Sequence, residues 1–354
     1  DALELLAQLR WAKGDRESFT DHFDAAIAAR PGDSALPKTR ARLLAGVDRY
    51  AEAADTAERA AKVFPDDPQF NLIAAVHAGE AGDDDRAEAI FAALKLNTLE
   101  RRLHEARHWL RRGLADRAER LLSSIVAEDH GNIGAWALRD FVWRLLGDDR
   151  QTWLHGQEGL VQMLDLELDD SLTCELVAVL NGLHDKAAIP VGQSVREGTQ
   201  TRGSLLDRHE TIFASLRATL DRAVEHYRQR LPAVDDTHPL LRHRDAPLSI
   251  VGSWSIRLTK HGYHTSHIHP NGLVSSAAYL VVPEISDNCR ASQAGWLELG
   301  RPPSDLRLSL PPLVALQPCV GKLALFPSTL YHGTRKFDHG RRMTVAFDVA
   351  REKP

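Results

Sequence analysis

The chain has 354 residues, enough for two or three domains with a sizeable hydrophobic core. Hydrophobic residues make up 43% and charged residues 26%, an ordinary composition for a globular protein. The net charge of −5 comes without a long basic block, which argues against nucleic acid as a partner. No apolar run reaches membrane length and no signal peptide is recognisable, so a membrane partner is not expected.

The cysteine content predicts a reducing compartment. Cys174, Cys289 and Cys319 are far apart and odd in number, so they do not suggest a disulfide framework. We therefore expect a cytoplasmic protein. The sequence contains no signal for an oligomeric state.

Residues 1–150 show an internal repeat in a helix-rich composition. Three glycines are each followed five positions later by an alanine: Gly46 and Ala51, Gly82 and Ala87, Gly113 and Ala118. Pro31 and Pro65 are 34 residues apart, a period that resembles that of tetratricopeptide (TPR) repeats. The pattern predicts TPR-like helical repeats. The alternative is an array of helical hairpins without a binding groove.

The middle of the chain predicts more helices and one glycine-rich interruption. We expect connecting helices over 151–186 and an amphipathic helix over 207–230. The polar stretch 193–201 lies between them and predicts either a linker or a loop over a site. Alternating residues then predict β-strands over about 247–350. The domain boundary is placed near residue 186, with a second domain over 187–354.

Three histidines in the strand-rich region suggest a metal site. His267 and His269 are two positions apart, so on a strand they would face the same side. His332 follows a second apolar run 65 residues after His267. Imidazole is a common ligand of transition metals. We expect the three side chains to hold one ion between two strands, and Arg342 to hold a carboxylate beside it. A closed zinc site is the structural alternative, although paired cysteine ligands are absent.

The nearby His261 and His264 are assigned to a turn, outside the metal site.

Several motifs together resemble one enzyme family. These are HxHPNGLVSSAAYL, GWLELGRPP, GKLALFPSTLYHGT and RRMTVAFDV, and the stretch 193–201 adds to them. They resemble the 2-oxoglutarate- and iron(II)-dependent oxygenases of the prolyl-4-hydroxylase-like superfamily, in the bacterial form with TPR repeats ahead of the oxygenase. The resemblance implies a double-stranded β-helix (jelly roll), with Fe(II) as cofactor, 2-oxoglutarate as co-substrate and O₂ as oxidant.

The resemblance also implies roles for individual residues. His267 and His332 match iron ligands, and Arg342 with Thr344 matches the pair that holds the remote carboxylate of 2-oxoglutarate. Tyr279 falls where related hydroxylases place a tyrosine on that carboxylate. Arg341 is the competing candidate for Arg342.

His269 departs from the family pattern, which has Asp or Glu at this position. Either His269 is a third neutral ligand, or the iron is held by His267 and His332 alone. The strand spacing favours ligation by all three histidines.

Together these features predict an α+β multidomain protein: an N-terminal TPR-like array followed by a β-helix oxygenase. The expected activity is hydroxylation of a side chain in a peptide or protein captured by the repeats. Two alternatives remain, a cupin-type metalloenzyme acting on a small molecule and a non-catalytic TPR adaptor. The glutamate expected after HxH in a cupin is missing, since Leu273, Val274 and Ser275 follow.

Overall fold

The computed structural model describes residues 2–187, 191–283 and 292–352. The chain forms two compact units. Unit 1 contains 1–125, 190–193 and 304–308, and unit 2 contains 126–189, 194–303 and 309–354. The division after residue 125 lies N-terminal to both the predicted end of the repeats at 150 and the predicted boundary near 186.

Unit 1 consists of paired helices. They are α1 Ala2–Ala12, α2 His22–Ala29, α3 Ala35–Ala45, α4 Tyr50–Val63, α5 Gln69–Glu80, α6 Asp84–Ala93, α7 Leu99–Arg111 and α8 Ala115–Glu128, which extends three residues into unit 2. The first helices of three successive pairs begin at residues 35, 69 and 99. The first interval has the predicted 34 residues, and the second is four residues shorter. The predicted helix-turn-helix organisation is confirmed.

Glycines and alanines set the close packing of these pairs. Gly82 and Gly113 have positive φ angles of 91° and 70° in the turns after α5 and α7, where an L side chain would be strained. Ala54, Ala78 and Ala87 are fully buried and pack together, so neighbouring helices approach closely.

Two short segments from later in the chain complete unit 1. Gly192 donates its backbone N–H to the carbonyl of Gly46, and a Cβ on Gly46 would lie 2.8 Å from the Cα of Gly192. In the second segment, Asp305 accepts hydrogen bonds from Arg107 and Arg111 of α7. Arg307 pairs with Asp84 at the start of α6. The face formed by α6 and α7 therefore holds residues of the chain itself.

Among its described residues, unit 2 contains four α-helices and a nine-stranded sheet. The helices are α9 Ile133–Leu146, α10 Arg150–His155, α11 Asp170–His184 and α12 Thr211–Gln229. The strands are β1 Gln162–Asp165, β2 Val195–Gln200, β3 Leu248–His267, β4 Val274–Val281, β5 Leu297–Leu299, β6 Val314–Leu316, β7 Lys322–Pro327, β8 His332–Thr334 and β9 Arg342–Arg351.

The sheet is antiparallel, with strand order β1-β7-β4-β9-β3-β8-β5-β6 and with β2 paired to β3. The first half of β3 pairs with β9 and its last residues pair with β8, so this long strand joins the two parts of a curled sheet. The predicted fold class, a helical N-terminal part followed by a curled antiparallel sheet, is confirmed.

Two stretches predicted without strands belong to this sheet. The prediction of helices alone over 151–186 is wrong at β1, which lies at the edge of the sheet and pairs with β7. β1 has four residues and no β-branched side chain, so tertiary pairing decides its conformation. The linker interpretation of 193–201 is also wrong, because β2 pairs with β3.

The turn assigned to His261 and His264 does not interrupt β3. His261 has a positive φ of 66°, but the strand continues through it, and His264 pairs with Val195 and Thr334. Pairing on both sides of the irregularity keeps the strand intact, so His264 was wrongly assigned to a turn.

The core of unit 2 lies between helices and sheet. The apolar stripe predicted for the long amphipathic helix is buried, and it includes Ile212, Leu216 and Leu220 of α12. These residues belong to one cluster with Leu323 and Leu325 of β7. The helices thus cover one face of the sheet.

Among the described residues, none of the helices combines the length and the apolar character that a membrane span requires. Cys174 and Cys319 are exposed free thiols, whereas Cys289 lies outside the described residues. The cytoplasmic location stays a prediction.

Trp143 of α9 tests whether this helix is part of the core of unit 2. Its side chain is 1% exposed. Trp143→Ala should lower the free energy of unfolding by about 3–5 kcal/mol through lost contacts and a cavity. Leu146→Ala, on the same helix at 45% exposure, should change it by about 0.5 kcal/mol or less. Urea unfolding followed by circular dichroism measures both, and equal effects would contradict the assignment.

Buried histidines predict acid lability. Burial lowers the pKa of His184 and of His238 to about 4, so both are neutral in the folded protein at neutral pH. Unfolded histidine titrates near 6.5, so the unfolded chain binds more protons between these values. Stability should be complete above about pH 6.5 and fall as the pH is lowered towards 4.

Urea midpoints measured from about pH 7.5 to about pH 5 test this dependence. His184→Gln should flatten it, whereas His226→Gln, at an exposed position of α12, should leave it unchanged. The same pH dependence in His184→Gln as in the wild type would count against the explanation.

Candidate metal centre

Strand pairing brings the three predicted histidines together. His267 at the end of β3 is directly paired with His332 at the start of β8. His269 lies two residues beyond the end of β3, and its ring centroid is 5.1 Å from that of His267 and 4.8 Å from that of His332. One nitrogen from each ring lies within 4.8 Å of the other two. The three rings therefore form a group that could hold one metal ion.

The hydrogen bonds of the rings decide which nitrogens are available. The Nδ1 atoms of His267 and His332 lie 2.8 and 3.1 Å from the backbone carbonyls of Thr265 and Leu330. The Nδ1 of His269 lies 2.5 Å from a carboxylate oxygen of Asp348. Each acceptor requires a proton on Nδ1 and therefore leaves the lone pair on Nε2. This is the tautomer that a metal centre needs.

Burial keeps the imidazoles of His267 and His332 neutral. It lowers the pKa of His267 to about 4, with a contribution from His269, and it lowers the pKa of His332 well below its ordinary value. A neutral imidazole is the form that binds a metal, so protons do not compete for the ligand atoms at neutral pH.

A buried cation lies on the adjoining strands. Arg342 at the start of β9 is 3% exposed, whereas Arg341 is exposed. The guanidinium donates to the hydroxyl of Thr334 and lies 5.1 Å from the ring centroid of Tyr279. No ion pair of Arg342 is found within the described residues. Burial lowers the pKa of Arg342 and raises the pKa of Tyr279. The guanidinium is thus a buried charge packed beside an aromatic ring.

Unsatisfied polar atoms surround this cation. The Nε of Arg342, the hydroxyl of Tyr279 and the Nε2 of His264 are buried and complete no hydrogen bond of ordinary geometry among the described residues. Buried polar groups in folded proteins nearly always have partners. Donors grouped around an arginine fit a carboxylate ligand.

Thr344 lies two residues after Arg342 and is buried. Its backbone carbonyl accepts from Ser255, but the hydroxyl that contacts Arg342 belongs to Thr334.

Sequence reasoning missed four residues near the histidines: Ser194, His264, Thr334 and Asp348. The hydroxyl of Ser194 lies 3.3 Å from Nε2 of His267, and the ring of His264 lies 6.0 Å from that of His267. His264 is three residues before His267, so strand alternation gave no signal for it, and a register shift in β3 lies between the two. Asp348 and Thr334 carry no local signal, because only strand pairing brings them to the site.

A buried polar network supports the loop that precedes His332. His155 of α10 lies 2.9 Å from a carboxylate oxygen of Asp140 and 2.9 Å from the hydroxyl of Thr329. The rings of Phe141 and Tyr331 pack 5.1 Å apart. Helices α9 and α10 therefore help to fix the segment that carries His332.

A family match agrees with this geometry. Residues 252–348 match the family model described as "Putative 2OG-Fe(II) oxygenase". The match is a minority of the chain, but it contains the three histidines, Tyr279, Thr334, Arg342 and Asp348. No match was found among curated protein sequences.

Solved structures show weaker similarities. HygX from Streptomyces hygroscopicus, crystallised with nickel and 2-oxoglutarate, has 14% identity and a TM-score of 0.37, covering 54% of this chain and 83% of its own. A Pseudomonas putida prolyl-4-hydroxylase has 13% identity and a TM-score of 0.38, covering 58% and 97%. YrrB, a TPR protein with an unusual peptide-binding site, has 15% identity and a TM-score of 0.32, covering 41% and 76%. These TM-scores are low, so the assignment rests on the family match and the site.

The match spans the strands that bring the histidines and Arg342 together, and the name of the family gives its cofactor, Fe(II), and its co-substrate, 2-oxoglutarate. Residues 252–348, which carry the three histidines and Arg342, therefore match the family of 2-oxoglutarate- and Fe(II)-dependent oxygenases.

Proposed function

We propose that the protein hydroxylates a C–H bond in a side chain of a peptide or protein, using Fe(II), 2-oxoglutarate and O₂. One observation carries the proposal. His267, His269 and His332 each place one ring nitrogen within 4.8 Å of the other two. A buried arginine, Arg342, lies nearby at the start of β9 and has no ion pair among the described residues. Both parts fit the groups that the family uses.

His267, His269 and His332 are the proposed iron ligands. The Nδ1–H group of each ring donates a hydrogen bond to an acceptor of the protein. These hydrogen bonds orient the three rings before an ion binds. This arrangement favours ligation by all three histidines over ligation by His267 and His332 alone.

Arg342 is the proposed anchor of 2-oxoglutarate, with Tyr279 and Thr334 beside it and Thr344 on the same strand. A guanidinium binds a carboxylate through charge-assisted hydrogen bonds, and the surrounding burial strengthens them. The unsatisfied hydroxyl of Tyr279 supplies a further donor.

Bound iron would supply O₂ activation, coupled to conversion of 2-oxoglutarate to succinate and CO₂ and to insertion of one oxygen atom into the substrate. The protein orients the ligands, neutralises the remote carboxylate at Arg342 and excludes water from the pocket around Tyr279.

The alternatives explain less of the site. A cupin-type enzyme accounts for the histidines but leaves the buried charge of Arg342 without a function. A non-catalytic adaptor accounts for the paired helices but for neither the histidine tautomers nor the unsatisfied donors.

The peptide substrate is proposed from the architecture of unit 1. Stacked helical pairs form extended surfaces that suit a chain more than a small metabolite. Because Asp305 and Arg307 occupy the face of α6 and α7, a captured peptide would use other parts of the stack.

Removal of single ligands tests the metal centre. His267→Ala, His269→Ala and His332→Ala should each lose iron binding and turnover, because each removes one of three ligands. His261→Ala, at an exposed position of the same strand, should retain both. Iron content and succinate release measure the outcome. Full iron occupancy in His332→Ala would refute the ligand assignment.

The two adjacent arginines test the co-substrate pocket. Arg342→Ala should raise the apparent constant for 2-oxoglutarate by about 30-fold or more, since losing a buried charge contact costs about 2–5 kcal/mol. Arg341→Ala removes an exposed charge and should leave the constant nearly unchanged. The same succinate assay, run over a range of 2-oxoglutarate concentrations, compares them. The opposite order would mean that Arg341 binds the carboxylate.

A substrate panel tests the peptide proposal. The full chain should release succinate and add one oxygen atom to peptides, detected by mass spectrometry, and should do so poorly with free amino acids. A variant lacking residues 1–125 should retain uncoupled turnover of 2-oxoglutarate but lose most peptide hydroxylation.

The deletion ends at residue 125 because residues 126–150 belong to unit 2. Thermal unfolding of the shortened chain would verify that it is folded. Efficient hydroxylation of a free amino acid or another small metabolite by both forms would contradict the proposal.

A further inference from the structure

The proposed ligand set has a shortage of negative charge. A common Fe(II) site in oxygenases combines two histidines with one carboxylate. Here the third position is His269, so three neutral rings would face a divalent cation. A negative group close to the ligands would offset this shortage.

Asp348 of β9 lies against His269 in the required position. One carboxylate oxygen is 2.5 Å from the Nδ1 of His269, and both side chains are largely shielded, at 17% and 15% exposure. By contrast, the acceptors for His267 and His332 are neutral backbone carbonyls. Of the three rings, His269 has the charged partner.

The surrounding strands hold this pair in place. Asp348 is paired with Gly252 of β3 and with Ser275 of β4. The ring of Trp254 meets the ring of His269 edge-on at 5.3 Å, and the hydroxyl of Ser275 lies 3.4 Å from its Nδ1.

A glycine provides the space for the carboxylate. A Cβ on Gly272 would lie 3.3 Å from the Cβ of Asp348 and 3.1 Å from the hydroxyl of Ser328. A larger residue at position 272 would press on the side chain that contacts His269. The fold thus keeps a defined place for Asp348.

We propose that Asp348 is a positioning residue that supplies the missing negative charge of the metal centre through His269. The inference rests on the proposed function of the three histidines. By accepting the Nδ1 proton, the carboxylate makes the ring a more basic ligand and fixes its orientation. In the common site a carboxylate binds the ion directly, whereas here the carboxylate of Asp348 is one hydrogen bond away, behind the ring of His269.

Asp348→Asn separates charge from shape. The amide keeps the size of the side chain and an oxygen that can accept the Nδ1 proton, but it removes the negative charge. The affinity of the metal-free full chain for Co(II), measured by titration without 2-oxoglutarate, should fall about 10–100-fold. The Co(II) affinity of Asp348→Ala should fall at least as far as that of Asp348→Asn.

Asp338→Asn is the matched control. Asp338 also pairs with a histidine, since its carboxylate is 3.2 Å from Nδ1 of His261, but this pair is exposed and outside the site. Its substitution should leave the Co(II) affinity unchanged. Circular dichroism of each metal-free variant checks the fold.

The results distinguish this inference from the proposed function. If His267→Ala and His332→Ala retain Co(II) affinity, the metal centre itself is assigned wrongly. If they lose it while Asp348→Asn binds as tightly as the wild type, the metal centre stands and the role of Asp348 is refuted. Unchanged affinity in His269→Ala would also refute that role.

Discussion

The hydrogen-bonding rule of a neutral imidazole governs the candidate site. Such a ring has one donor and one acceptor, so fixing the proton on one nitrogen fixes the lone pair on the other. Thr265, Leu330 and Asp348 each hold the proton of one ring on Nδ1. The lone pair of each ring is then left on Nε2, free to bind a metal ion. Strand pairing brings His267 and His332 close together, and the three acceptors leave the Nε2 atoms of the rings available as ligands.

The loop before His332 depends on helices that look like part of the repeats. Asp140, His155 and Thr329 form a buried chain of hydrogen bonds from α9 through α10 to this loop. Arg144 adds a contact from α9 to the backbone carbonyl of Gly300. These helices therefore belong to unit 2 by their contacts, although the length of α9 resembles that of the helices in unit 1.

Local patterns in the sequence predicted what local patterns determine. Alternation predicted the strands, and the HxH spacing singled out His267 and His269. The two-residue period of a strand allows only one of Arg341 and Arg342 to face inward, and the choice of Arg342 came from the resemblance. The strand β1 was missed because four residues without a β-branched side chain carry little propensity of their own. Asp348 and Thr334 were missed because each meets its partner through pairing between strands distant in sequence. The predicted end of the repeats at residue 150 stays a prediction. Helix α9 follows a repeat-like turn, but its Phe141 packs against Tyr331, and both residues lie in unit 2.

The bond between Asp305 and Arg107 has a consequence for biosynthesis. The two residues are 198 positions apart, and Arg111, which shares the carboxylate, is almost fully buried at 1% side-chain exposure. While the ribosome has made only the first helices, this pair of guanidinium groups has no carboxylate from residue 305 to bind. The N-terminal unit can be completed only after more than 300 residues have been synthesised. Its last step of folding therefore follows the synthesis of most of the oxygenase domain, and a nascent chain must keep its first helices soluble until then.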